Sequence, residues 1–140
     1  MSDADQKRLV LAYRWFTEGW TVDIDLADTL FSTDLVTNGV PVGIEGPKTR
    51  IRERLIGFPD LTTSVERLVA ADDTVAIHLM WSGTHTGAYG GVEPTGRRVT
   101  ISDLALWRFD GDLVVEIRTL QDQFGLLKQI GYLPDSVRAA

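Results

Sequence analysis

The stretch that decides the fold is Val99-Thr-Ile-Ser-Asp-Leu-Ala-Leu-Trp-Arg-Phe-Asp-Gly-Asp-Leu-Val-Val-Glu-Ile-Arg-Thr-Leu-Gln121. Two runs rich in strand-forming residues, Val99 to Phe109 and Leu113 to Gln121, flank the turn signal Asp110-Gly111-Asp112. A three-residue loop with Gly111 in the left-handed conformation predicts a hairpin in which Phe109 faces Leu113. Trp107 then opposes Val115, Ala105 opposes Ile117, Asp103 opposes Thr119 and Ile101 opposes Gln121. Side chains alternate across a strand, so these odd positions share one face. That face is apolar except at one end, where Asp103, Thr119 and Gln121 cluster. The even face mixes Thr100, Ser102, Arg108, Glu116 and Arg118 with Leu104, Leu106, Val114 and Leu120. Such a face meets water or a partner subunit.

Upstream of the hairpin, Leu61 to Ala71 and Thr74 to His85 read as strands joined by the turn Asp72-Asp73. Thr86 to Gly96, with four glycines and a proline, reads as a loop. The part before Pro59 reads as helices. From Asp5 to Glu18, Leu9, Val10, Ala12, Tyr13, Trp15 and Phe16 fit a 3.6-residue period, and Gly19 is a natural stop. A shorter helix is expected from about Asp23 to Leu30. A third opens near Gly46-Pro47, carries Ile51, Leu55, Ile56 and Phe58 inward, and ends before Pro59. Downstream, Gln123 to Ile130 is a short helix closed by Gly131. Helices, then an antiparallel meander, then a helix make one α+β domain over residues 1–140, with no internal repeat or linker.

The chain's 140 residues suffice for a real core and an internal pocket. Its 14 Lys and Arg against 20 Asp and Glu leave a net charge of −6, which argues against nucleic acid as a partner. Without cysteine, thiolate metal sites, disulfides and Cys nucleophiles are excluded, and two histidines are too few for a three-histidine metal site. No metal site is expected. The acidic start Met1-Ser2-Asp3-Ala4-Asp5 does not resemble a secretion signal, and no apolar run approaches the ~20 residues of a membrane span. The expectation is a cytoplasmic protein with no membrane association.

Among residues able to do chemistry, Asp103 is the most informative. It is a lone carboxylate on the apolar sheet face, where desolvation would raise its pKa and suit it to proton transfer. The alternative is a carboxylate near the sheet edge that bonds a helix end or a basic side chain. His85, in Gly83-Thr84-His85-Thr86-Gly87, is a second catalytic candidate, although a strand-end histidine is more often a turn residue. His78 has the parity of the mixed face, and Asp122 suits the cap of the last helix. Tyr13, Trp15, Trp20, Phe31, Trp81 and Trp107 are numerous enough to line a cavity for a flat, ring-bearing ligand.

The run Gly83-Thr-His-Thr-Gly-Ala-Tyr-Gly-Gly-Val-Glu-Pro-Thr-Gly-Arg-Arg-Val-Thr100 and the closing Asp122-Gln-Phe-Gly-Leu-Leu-Lys-Gln-Ile-Gly131 resemble the SnoaL-like polyketide cyclases. Gly46-Pro47 and Phe58-Pro59-Asp60-Leu61 are similar to that family too, in the family's order and over nearly the whole chain. The resemblance implies an NTF2-like cone: a curved antiparallel sheet around helices, with a pocket at the wide end and a homodimer through the back of the sheet. It also implies a small hydrophobic or aromatic polyketide-like ligand and ring closure by intramolecular aldol condensation, with no cofactor. The family's catalytic aspartate lies three residues before the aspartate leading into the final helix, which is Thr119 here, so that carboxylate is missing. The family's pocket glutamine and histidine fall at Asp103 and Ala105, and its pocket asparagine near Thr37-Asn38.

Two functions follow. In the first, Asp103 moves a proton next to a carbonyl while Thr119, Asn38 or Gln121 donates to the enolate oxygen. In the second, the same pocket binds its ligand without chemistry. An acid kept in a pocket costs stability unless used or paired, which favours the enzyme. A basic side chain bridged to Asp103 would favour the binding protein.

Overall fold

The computed structural model describes residues 1–134, 136 and 137. The first helix, α1 (Asp3–Arg14), starts at a reciprocal cap: the Asp5 amide donates to Ser2 Oγ at 3.0 Å and the Ser2 amide to Asp5 Oδ2 at 3.2 Å. It runs without a break into one π-helical turn, Trp15–Gly19. A 3₁₀ turn at Ile24–Leu26 leads into α2 (Ala27–Leu30). Then come β1 (Phe31–Thr37), β2 (Val40–Pro41) and α3 (Glu45–Gly57). The meander is β3 (Thr62–Ala71), β4 (Thr74–Thr84), β5 (Arg98–Asp110) and β6 (Leu113–Gln121), closed by α4 (Gln123–Gln129). The class is α+β, as expected.

The six strands form one sheet in the order β2-β1-β6-β5-β4-β3. Every neighbouring pair is antiparallel except β1 and β6, which run parallel, so the sheet is mixed rather than purely antiparallel. The correction comes from β1, which lies in the region read as helical. Its burial does not alternate, and its pairing jumps from Phe31–Val114 to Val36–Glu116. A strand that breaks register in its middle carries no period-two signal.

The decisive hairpin forms with a different register. Only Gly111 and Asp112 form its tip, because Asp110 pairs with Leu113 and Gly111 takes the left-handed conformation at φ 60°. Val115 is then an extra residue, a bulge between the pairs Phe109–Val114 and Arg108–Glu116. Beyond it Trp107 faces Ile117, Ala105 faces Thr119 and Asp103 faces Gln121. The shift is two residues, so parity survives and the odd positions from Ile117 to Gln121 stay on the Asp103 face. At the turn the bulge swaps the valines: Val114 is fully buried and belongs to the core, not to the outer patch, while Val115 is only half-buried.

Inward-facing Val75, Ile77, Leu79, Trp81, Ile101, Trp107 and Phe109 make the sheet's side of the core. Ala12, Trp15, Phe16, Trp20, Ile51, Phe58, Leu126 and Ile130 cover it from the helices. Ile56, expected inward, is exposed; five residues past Ile51, it falls on the far side of α3. On the outer sheet face Val69, Leu104, Leu106 and Leu120 are exposed. Among the described residues no helix is long and apolar enough to cross a membrane.

Candidate active site

Between the first helical segment, α3 and the odd-numbered sheet face lies a cavity of about 500 Å³. Its apolar wall is Trp15, Phe16, Trp20, Phe31 and Trp107. The π turn builds half of it. Five residues per hydrogen-bonded turn, closed by the Trp20 amide on the Trp15 carbonyl at 3.1 Å, bring Trp15, Phe16 and Trp20 inward together. Gly19 is required there, since a Cβ would overlap the Trp15 indole. Edge-to-face contacts of Phe31 with Trp15 at 5.1 Å and with Trp107 at 5.4 Å hold the wall rigid.

The polar end of the cavity centres on Arg54. Ile51, three residues before it on α3, and Phe58, which caps the helix four residues after it, are both core residues, so Arg54 lies on the buried side of α3 and is 1% exposed. Its Nη2 donates to Asp103 Oδ2 at 3.2 Å and to Gln121 Oε1 at 2.7 Å. The guanidinium lies 4.8 Å from the Trp20 ring centre and 5.3 Å from that of Trp81. Thr119 Oγ1 donates to Asp103 Oδ1 at 3.1 Å, with the Leu104 carbonyl at 3.3 Å as its other acceptor. Asp103, 7% exposed, therefore has a charged partner on one oxygen and a hydroxyl on the other. The lone pocket carboxylate of the sequence reading is half of an ion pair.

Arg50, one turn before Arg54 on α3, also lines the cavity. Burial, and then the like charge of Arg54, lower its pKa from the ordinary arginine value. Sequence reasoning missed both arginines. The available signal was Arg54 interrupting the apolar stripe of Ile51, Leu55 and Phe58.

Of the residues expected in the site, Asp103, Thr119, Trp15, Phe31 and Trp107 line the cavity. Tyr13 does not: it is 52% exposed, because Ala12, Trp15 and Phe16 take the inner face of the helix. Trp81 is fully buried behind the lining, packed on Arg54 and on Phe58 at 5.1 Å. Gln121 sits one bond from the cavity as the acceptor of Arg54. The amide of Asn38 is committed elsewhere: Nδ2 donates to the Thr119 carbonyl at 3.1 Å, and Oδ1 accepts from the Thr119 amide at 2.9 Å. It extends the ladder where the backbone turns at φ 50°, and so fixes the strand that presents Thr119.

His85 is buried outside the cavity lining. Its ring packs 5.4 Å from Phe58, and Nδ1 accepts from the Thr95 amide at 3.2 Å. The ring proton therefore lies on Nε2, which has no hydrogen-bond partner among the described residues. Its backbone bonds to Arg97 and Gly96 hold the base of the loop. His78 bonds Ser102 on the outer face at 2.9 Å, and Asp122 caps α4 by accepting from the Gly125 amide at 2.8 Å, both in line with the sequence reading. Among the described residues no group of three or more His, Asp or Glu could hold a metal ion.

A family model described as SnoaL-like polyketide cyclase matches residues 10–130. A candidate SnoaL-like polyketide cyclase from Jannaschia sp. CCS1 superposes with a TM-score of 0.86 at 24% identity, over 96% of this chain and 98% of that one. AclR, a candidate hydroxylase from Streptomyces galilaeus, gives 0.82 at 28% identity, over 96% and 87%. IdmH, a candidate polyketide cyclase from Streptomyces antibioticus, gives 0.75 at 27% identity, over 91% and 98%. No curated protein matches the chain significantly. The fold is that of the NTF2-like cones.

Proposed function

Because the chain belongs to the SnoaL-like polyketide cyclase family, we propose that it is a cyclase- or isomerase-type enzyme acting on a hydrophobic, ring-bearing substrate in the aromatic cavity. One observation carries this reading beyond the family: Asp103 lines the aromatic cavity with the Thr119 hydroxyl on its Oδ1, an acid and a hydrogen-bond donor side by side, whereas the Arg54 bridge to Oδ2 counts for the second reading below. In the proposed reaction Asp103 takes a proton from a carbon next to a carbonyl. The Thr119 hydroxyl turns from Asp103 to the developing enolate oxygen. The enolate carbon then forms a bond to a second carbonyl of the same molecule, and the proton returns from Asp103 to the resulting alkoxide. Thr119 thus works as a donor where the family's aspartate would stand.

A second reading is favoured by the Arg54–Asp103 pair itself. A carboxylate already neutralised by a buried arginine needs no catalytic role to account for its burial, and the pocket then holds its ligand unchanged. Proton exchange separates the two. With β-tetralone in D₂O, the enzyme reading expects deuterium at the activated carbon faster than in buffer, and an Asp103→Asn variant slower by ~10²–10⁴-fold. Binding of β-tetralone without accelerated exchange would establish the second reading.

The outer sheet face is proposed as a two-fold homodimer interface. Leu104, Leu106 and Leu120 stand there with Val69, an apolar patch of the kind that marks association.

A further inference from the structure

We propose that the cavity selects ring-bearing ligands that carry a carboxylate, and that Arg50 is the residue that receives it; this rests on the reading of the cavity as a ligand pocket. The argument starts from charge. Two arginines one turn apart on α3 face the cavity, Arg50 and Arg54, while Asp103 is the one buried carboxylate among the described residues. Arg54 takes it. No described residue makes a hydrogen bond or ion pair with the Arg50 side chain, which lines the cavity half-buried with its donors free of protein acceptors among the described residues. Glu45 and Glu53 also border the cavity, but both are exposed to water, and Glu45 is bonded to Arg52 at 3.3 Å.

A half-buried cation beside the fully buried cation of Arg54 is disfavoured by partial desolvation and by like charge, and an anion would relieve both. The lowered pKa of Arg50, from burial first and Arg54 second, has the same origin. A planar guanidinium fits a carboxylate through two parallel N–H donors, which a hydroxyl or ketone oxygen cannot match. Arg54 has capacity to spare, since only its Nη2 bonds a protein acceptor. Its Nε is buried without a partner among the described residues. The aromatic wall takes the ring system of such a ligand and the arginine end its carboxylate, which sets the ring's orientation relative to Asp103.

The test uses two fluorescent probes of one shape, pyrenecarboxylate and pyrenemethanol substituted at the same ring carbon. Wild type should bind the carboxylate at least about tenfold more tightly. Arg50→Gln should weaken carboxylate binding by roughly tenfold to a hundredfold and leave pyrenemethanol unchanged. Arg50→Lys keeps the charge but not the fork and should recover part of the loss. Arg50 is only half-buried and bonds no described residue, so neither change strands a protein partner. Equal binding of both probes by wild type would overturn the inference and leave the ligand pocket standing, as would an equal loss of both in Arg50→Gln. Binding of neither probe would overturn the pocket reading, and the inference with it.

Discussion

Thr119 reaches Asp103 on the diagonal. Its hydroxyl lies 3.1 Å from Asp103 Oδ1, although Thr119 pairs across the ladder with Ala105 and Asp103 pairs with Gln121. Diagonal neighbours on one sheet face are about 7–8 Å apart at the backbone, within reach of two side chains leaning together. The contact expected from direct opposition is thus made through a shifted register, and the acid's setting depends on which side chain stands at 119.

Thr119→Asp should therefore place a second carboxylate against Asp103 and lower the melting temperature by several degrees. Asp103→Gln combined with Thr119→Asp removes the repulsion and leaves Arg54 an acid to pair with, so the double variant should melt higher than the single. Equal melting temperatures for the two would mean the side chains do not interact.

Breaking the buried pair from the arginine side should be severe. Arg54→Met strands Asp103 without a counter-charge and should cost about 3–5 kcal/mol in urea unfolding. Arg54→Met with Asp103→Leu should recover most of that loss, because an apolar pair has nothing to leave unpaired. Strictly additive losses in the two single variants would show that the ion pair contributes no coupling.

Gly19→Ala tests the aromatic wall. The added methyl overlaps the Trp15 ring, which can move only by displacing Phe31. Overpacking of this kind costs about 1–3 kcal/mol and should shift tryptophan fluorescence. A Gly19→Ala variant as stable as wild type, with an unchanged spectrum, would mean the π turn is not tightly packed.

Asp60 should contribute acid-sensitive stability. It accepts from the Thr84 amide and the Thr84 hydroxyl, both at 2.7 Å, and these bonds hold its pKa below the ordinary 3.8. With the folded pKa lowered, the contribution is present above 3.8 and is lost as pH falls through the folded value. Wild type should exceed Asp60→Ala in denaturant midpoint at neutral pH, and the gap should narrow in acid. A gap that widens in acid would contradict the sign.

The outer face should govern association. Leu104→Glu with Leu120→Glu puts like charges on the proposed interface and should turn a dimer into a monomer in sedimentation, with the fold retained because both positions are exposed. A wild type that sediments as a monomer at micromolar concentration would remove the interface.

Periodicity alone carried much of the architecture. Leu9, Ala12, Trp15 and Phe16 recur at helical spacing, β5 and β6 alternate, and Asp122 stands where a helix needs a cap. Each signal arises within one turn or one pleat, so neighbouring residues suffice to write it. Parity is equally robust, since a slip of two residues leaves every side chain on its face. That is why Asp103 and Thr119 were legible as one cluster before their register was known.

Tertiary structure decided the rest. The bulge at Val115 leaves no trace in a run where Val114 and Val115 are both apolar, so pairing rather than composition chose which one is buried. Strand β1 exists because β6 has an edge to offer it; its own sequence has no alternation. Tyr13 and Trp15 look alike as aromatics, and only the packing of the helix on the sheet separates the exposed ring from the lining one. The Arg54–Asp103 pair joins residues 49 apart in the chain. No local period encodes such a pair, because its energy arises only when folding removes water from both charges at once.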